Sequence, residues 1–178
     1  VRDGVDLNTE GQYTYTANVT DASGNTGSDT ATIHVLPADA AVANIDEVND
    51  LADAVLEKIL KEDMTKKQII KAIYDWIRKN TRYTTYDQES DYVLGAYDGF
   101  TDHSGNCFTY AAMAKFLLTR AGIENIDIVK VVPEGSTDIP THFWNLVNIG
   151  EGWYHYDVTP RKDGSTFFYI TDAKLREY

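Results

Sequence analysis

One stretch limits the architecture more than any other. From Cys107 to about Ala121 the segment CFTYAAMAKFLLTRA is apolar nearly all round, the pattern of a helix buried in the middle of a domain. Ala111, Ala112 and Ala114 leave its surface shallow enough for a sheet to approach closely. The rest of the chain has the material to cover it. With 178 residues, 43% hydrophobic and 12% aromatic, it describes a globular protein with one main domain and room for an appendage.

Before the central helix, Val48, Leu51, Ala52, Val55 and Ile59 recur at helical spacing and predict an amphipathic helix from about Asp46 to Lys61. Thr65 and Gln68 form a capping-box pattern, with Met64 and Ile69 as a hydrophobic staple, and open a second helix whose apolar stripe is Ile69, Ile73, Trp76 and Ile77. The stretch 81–105, rich in Tyr, Asp, Gly and Thr, reads as irregular and long for a compact domain, and loops of that length are usually functional or mobile. After the central helix come strand patterns at 126–132, 142–149, 153–159 and 167–170. Helices followed by consecutive strands indicate an α+β fold with an antiparallel sheet.

Residues 11–36 have a different period. Tyr13, Tyr15, Ala17 and Val19 share one face of a strand, Ala31, Ile33 and Val35 one face of another, and a loop rich in Asp, Gly, Ser and Asn separates them. This hairpin, with its VTDASGN turn, resembles the closing strands of immunoglobulin-like modules of bacterial surface proteins, although a complete sandwich takes ~100 residues. After Pro37 the composition shifts from Thr and Gly to Ala, Leu, Ile, Lys and Glu. The reading is therefore a partial immunoglobulin-like segment over 1–37 and a main domain over 38–178. The chain opens at Val1 rather than methionine and reads as a piece of a longer protein.

Charge excludes some partners. Sixteen Lys and Arg against 28 Asp and Glu leave a net charge of -12, which opposes binding to nucleic acid or anionic membranes. No run has the apolar length of a membrane span. The single cysteine, Cys107, excludes an intrachain disulfide.

Gly105 and Asn106 precede that cysteine, and Asn106 or Ser104 suits the N-cap, so Cys107 falls among the first residues of the helix. Free backbone N–H groups and the positive end of the helix dipole favour an anion such as a thiolate there. The same residue also continues a core stripe with Ala111, Ala114, Leu118 and Ala121. A nucleophile needs a base and the base an orienting acceptor. If Gly150 and Glu151 form a two-residue turn, Trp144 opposes Asp157, and His142 is a diagonal neighbour of Asp157 at ~7–8 Å between backbones. A four-residue loop keeps this register, whereas an odd loop puts the two residues on opposite faces.

The blocks SGNCFTYAAMAKFLLTRAGI, THFWNLVNIGEGWYHYDVTP and ITDAKLREY resemble the transglutaminase-like superfamily, especially its bacterial members, over about residues 45–178. The resemblance implies a papain-like core in which Cys107 is the nucleophile, His142 the base and acid, and Asp157 the orienter. It implies attack on an amide carbonyl of a protein or peptide, a Cys107 thioester, and release of the acyl group to water (peptidase or amidase) or to an amine (transglutaminase). The Cys107 N–H would supply one oxyanion donor. Relatives take the second from an upstream aromatic or amide side chain, for which Tyr83, Tyr86, Tyr92 and Tyr97 are the candidates and Tyr83, just after the second helix, the preferred one. Trp144 and Trp153 flank the site as candidate substrate-binding walls. Such a protein needs no cofactor, and the surface-module resemblance implies an extracellular or cell-surface bacterial location with cell-wall or surface proteins among its partners.

Two other readings compete. His103, Cys107, His142 and His155 are residue types that bind zinc, but their spacing matches no closed metal motif, so no metal is expected. A non-catalytic adhesion or scaffolding module that retains the fold is the alternative to an enzyme.

Overall fold

The computed structural model describes residues 9, 11–20, 23–35, 44–85, 91–130 and 141–177. The chain divides into two compact units, Val1–Val42 and Ala43–Tyr178. In the first, β1 (Gly11–Thr20) and β2 (Thr26–Val35) pair antiparallel, Gly11 with Val35 and Thr20 with Thr26. Thr14, Thr16, Asn18 and Thr20 are exposed along one face of β1, as a period of two requires. Pro37 and the predicted linker lie outside the described residues.

The second unit runs α1 (Ile45–Ile59), α2 (Lys66–Asn80), β3 (Arg82–Tyr83), α3 (Tyr92–Asp102), β4 (Ser104–Gly105), α4 (Cys107–Arg120), β5 (Glu124–Val129), β6 (Phe143–Asn148), β7 (Trp153–Asp157), β8 (Phe167–Ile170) and α5 (Asp172–Leu175). Strands β5 to β8 form an antiparallel meander, so the fold is α+β. The predicted strands start and stop within a few residues of these; positions 131 and 132 of the first lie outside the described residues.

Helix α4 is the centre of the core. Every residue from Cys107 to Leu118 is buried except Lys115, whose ammonium pairs with Asp127 of β5 and lies 4.7 Å from the Tyr92 ring centroid. Helices α1, α2 and α3 and strands β5 and β6 all pack on it. From the sheet, Asn145, Val147 and Tyr156 are fully buried, and the Tyr156 hydroxyl donates to the Ile70 carbonyl of α2 at 2.7 Å.

The capping box of α2 is present, with Thr65 and Gln68 satisfying each other's backbone N–H groups. Its buried stripe is Ile70, Ile73, Tyr74 and Ile77, with Ile69 and Trp76 half-buried, which rotates the predicted stripe. The cause is a second partner: Tyr74 meets Tyr156 and Phe168 edge-on at 5.5 and 5.2 Å, so α2 packs on the sheet as well as on α4.

The stretch 81–105 departs from the irregular loop expected of it. It contains α3 and the short parallel pair β3 and β4. Gly95 and Gly99, each unfavourable in a helix by ~1 kcal/mol relative to Ala, conceal α3 from a propensity reading. They are needed for contact with α4: a Cβ on Gly95 would stand 2.8 Å from the Phe108 ring, and one on Gly99 2.5 Å from the Met113 sulfur. Asp91 caps α3 by accepting the Val93 N–H at 2.6 Å, and His103 ends it in the left-handed conformation, φ 52°. The chain then turns directly into β4 and the start of α4.

Candidate active site

Two constructions meet at this site, one on a helix and one on a sheet. On the helix, Asn106 is the N-cap of α4: its Oδ1 accepts the N–H of Phe108 at 2.9 Å and of Thr109 at 3.3 Å. Neither bond uses the N–H of Cys107, the first helical residue. Strand β4 presses against the first turn so closely that a Cβ on Gly105 would lie 2.3 Å from the Cβ of Thr109. Cys107 is only 7% exposed, and it lines the same cleft as His142, whose imidazolium it favours.

On the sheet, the loop between β6 and β7 has four residues, with Gly150 and Gly152 at φ 107° and 105°. The Asn148 side chain accepts the Gly150 N–H at 2.8 Å. Asn145 pairs with Tyr156 and Asn148 with Trp153, which is the even-loop register of the two alternatives. In that register His142, one residue before β6, reaches across so that its Nε2 lies 2.7 Å from Asp157 Oδ2. With Nε2 so engaged, Nδ1 is the nitrogen left for Cys107.

Asp157 is a buried carboxylate, 3% exposed. Its Oδ2 also accepts from Arg161 Nη2 at 3.0 Å, and its Oδ1 accepts the Thr159 N–H at 3.0 Å. Burial opposes its ionisation, but the His142 hydrogen bond and charge, together with Thr159, outweigh it and hold the carboxyl below its ordinary value. Burial likewise opposes the His142 imidazolium. Hydrogen bonds to Asp157 and Cys107, and their charges, overcome it and raise His142 to about 9. The group is therefore an imidazolium through neutral pH. Arg161 is held in turn, its guanidinium 4.0 Å from the Phe167 ring centroid, and Arg78 of α2 ties the turn after Asp157 by donating to the Thr159 carbonyl at 3.0 Å.

A cleft of ≈ 510 Å³ opens over Cys107, His142 and Asp157, walled by Tyr83, Lys130, Trp144, His155 and Arg161. Tyr83 is 45% exposed and borders the cleft from β3. Tyr92 and Tyr97 pack against the core instead, and Tyr86 lies outside the described residues. Trp144 stacks on His142, centroids 5.6 Å apart and planes 21° from parallel. Trp153 is not brought in. It stands at the other end of β7, four residues from Asp157 or ~13 Å along the strand, and borders no part of the cleft. His103 borders none either, and the two ring nitrogens of His155 face Trp144 and Asp172. Among the described residues no group of three or more His, Cys, Asp or Glu is placed to hold a metal ion.

Sequence reasoning missed Arg161 and Asp172. The only available signal for Arg161 was a basic residue four positions after Asp157; for Asp172 there was none, because its partner is 17 positions away across a strand pair.

The sequence model of the transglutaminase-like superfamily matches residues 53–158, a span that includes Cys107, His142 and Asp157. No curated protein matches the chain. Among solved structures, a "Putative Cysteine Protease from Cytophaga hutchinsonii" is similar at 19% identity and a TM-score of 0.49, covering 89% of this chain and 68% of that one. A structure described as a TGase is similar at 13% identity and a TM-score of 0.55, covering 92% of this chain. The present chain spans about half of that TGase, 48% of its length, and at this identity the likeness is one of fold.

Proposed function

The chain belongs to the transglutaminase-like superfamily, and from that premise we propose that it is a cysteine acyltransferase or hydrolase acting on amide bonds of proteins or peptides. Family membership supports a cysteine-dependent enzyme in general. The observation that carries the finer reading is the line of three groups, Cys107 at the first turn of α4, the imidazole of His142, and Asp157 Oδ2 at 2.7 Å from Nε2.

In this reading the Cys107 thiolate attacks the carbonyl carbon of a carboxamide or peptide bond. The tetrahedral oxyanion is met by the Cys107 N–H, which the Asn106 cap leaves unused, and by the Tyr83 hydroxyl from across the cleft. The His142 imidazolium gives its proton to the departing ammonia or amine as the C–N bond breaks, leaving a thioester and a neutral imidazole. His142 then takes a proton from water or an acceptor amine, which attacks the thioester and frees Cys107. Asp157 stays ionised throughout and holds the imidazole. The domain acts, in the same proposal, as part of a bacterial surface protein whose substrates are surface or cell-wall proteins, on the resemblance of the N-terminal hairpin to immunoglobulin-like modules.

The test is to offer casein as acyl donor with a biotinylated alkylamine, and to follow amine incorporation, ammonia release and peptide cleavage alongside the intact mass of the protein. The reading expects an acyl adduct on Cys107 that hydroxylamine removes, and no turnover in Cys107→Ala. A panel of protein donors that yields neither adduct nor product favours a non-catalytic module.

A further inference from the structure

Strand β7 carries a second histidine, His155, on the same face as Asp157. The indole N–H of Trp144 donates to His155 Nδ1 at 2.9 Å, and His155 Nε2 lies 2.9 Å from Asp172 Oδ1. An indole nitrogen can only donate, so Nδ1 must be the acceptor. The ring proton then sits on Nε2 and is donated to Asp172. The indole so fixed is the one stacked on His142.

A local irregularity brings Asp172 to this place. His155 pairs with Ile170 but Tyr156 with Phe168, so Tyr169 is an extra residue, in the left-handed conformation at φ 55°. A bulge of this kind bends the strand that carries it. Beyond it Thr171 caps α5, accepting the Lys174 N–H at 3.2 Å, and Asp172 follows as the first helical residue.

From this chain of contacts we infer that Asp172, His155 and Trp144 form a positioning relay for His142. Asp172 selects the tautomer of His155, His155 holds the indole, and the indole holds the imidazole plane so that Nδ1 faces Cys107 while Nε2 stays on Asp157. Trp144 is thus a positioning residue as well as a wall of the cleft. The inference rests on the reading of Cys107 and His142 as a reacting pair.

The test is the rate of Cys107 alkylation by iodoacetamide at pH 6.5 in the full chain. His155→Ala is expected to slow it roughly fivefold, the order of one lost hydrogen bond. His155→Gln, whose amide can both accept from Trp144 and donate to Asp172, is expected to recover most of the rate. In a His142→Ala background, His155→Ala is expected to change nothing further, because a relay through His142 has no other route to the thiol. A wild-type rate in His155→Ala, no recovery in His155→Gln, or an equal loss with and without His142 overturns the relay. If His142→Ala alone alkylates like the wild type, it is the reacting pair that fails.

Discussion

The two halves of the site are held by different physics. The Cys107 half is steric: β4 and α3 lie so close to α4 that Gly95, Gly99 and Gly105 have no room for a methyl group as packed, and one cap, Asn106, anchors the turn. The His142 and Asp157 half is electrostatic: a buried carboxylate with three donors faces an imidazolium across a strand pair. The first kind of construction ties the nucleophile's position to the integrity of the fold. The second lets chemistry be lost while the fold remains. Substitutions in the two halves should therefore separate stability from reactivity.

Gly105→Ala should produce the largest loss of stability, ~3 kcal/mol or more, because the side chain it meets is the branched Thr109 at its Cβ; denaturant unfolding measures it. Gly99→Ala sharpens the point. Its Cβ would meet Met113 Sδ at 2.5 Å and Thr109 Cγ2 at 2.9 Å, looser than the 2.3 Å approach to Thr109 at Gly105, and alanine returns ~1 kcal/mol of helix propensity, so the loss should be smaller. Asp157→Asn should reverse the pattern, leaving a folded protein by circular dichroism whose Cys107 alkylation at pH 6 falls at least ~10-fold, the value of one unit of His142 shift. Asn106→Ala should lower stability by ~1 kcal/mol through the lost cap.

A pH slope probes the electrostatic half by itself. His142 titrates at about 9 in the folded chain against ~6.5 unfolded, so its contribution to stability is complete below ~6.5 and is lost as pH rises through about 9. Asp157, lowered by folding, contributes above its unfolded value of ~3.9 and loses that contribution on acidification. Thermal unfolding of the wild type should therefore weaken between pH 6.5 and 9 relative to His142→Gln. Acylation should fall over the same alkaline limb as the proton donor is lost.

What could be read from the sequence follows the same division. The α2 capping box, the Asn106 cap and the α4 burial pattern are local signals, written within a few residues. The His142 and Asp157 alignment needed only the parity of one loop, and the four-residue turn supplies the even case. Helix α3 was hidden because the glycines that permit its packing are the residues that argue against a helix. The α2 stripe was misplaced because periodicity names a face without saying that two layers will share it. Arg161 and the pair of His155 with Asp172 arise from strand ends and a bulge, where tertiary placement decides and spacing carries no signal.

The most direct test of the reacting pair is the pH dependence of Cys107 alkylation by iodoacetamide in the wild type and in His142→Ala. The account predicts that the wild type alkylates faster than His142→Ala at pH 6, and that the difference shrinks as pH rises through about 9, where the imidazolium is lost. Identical profiles in the two proteins would contradict it.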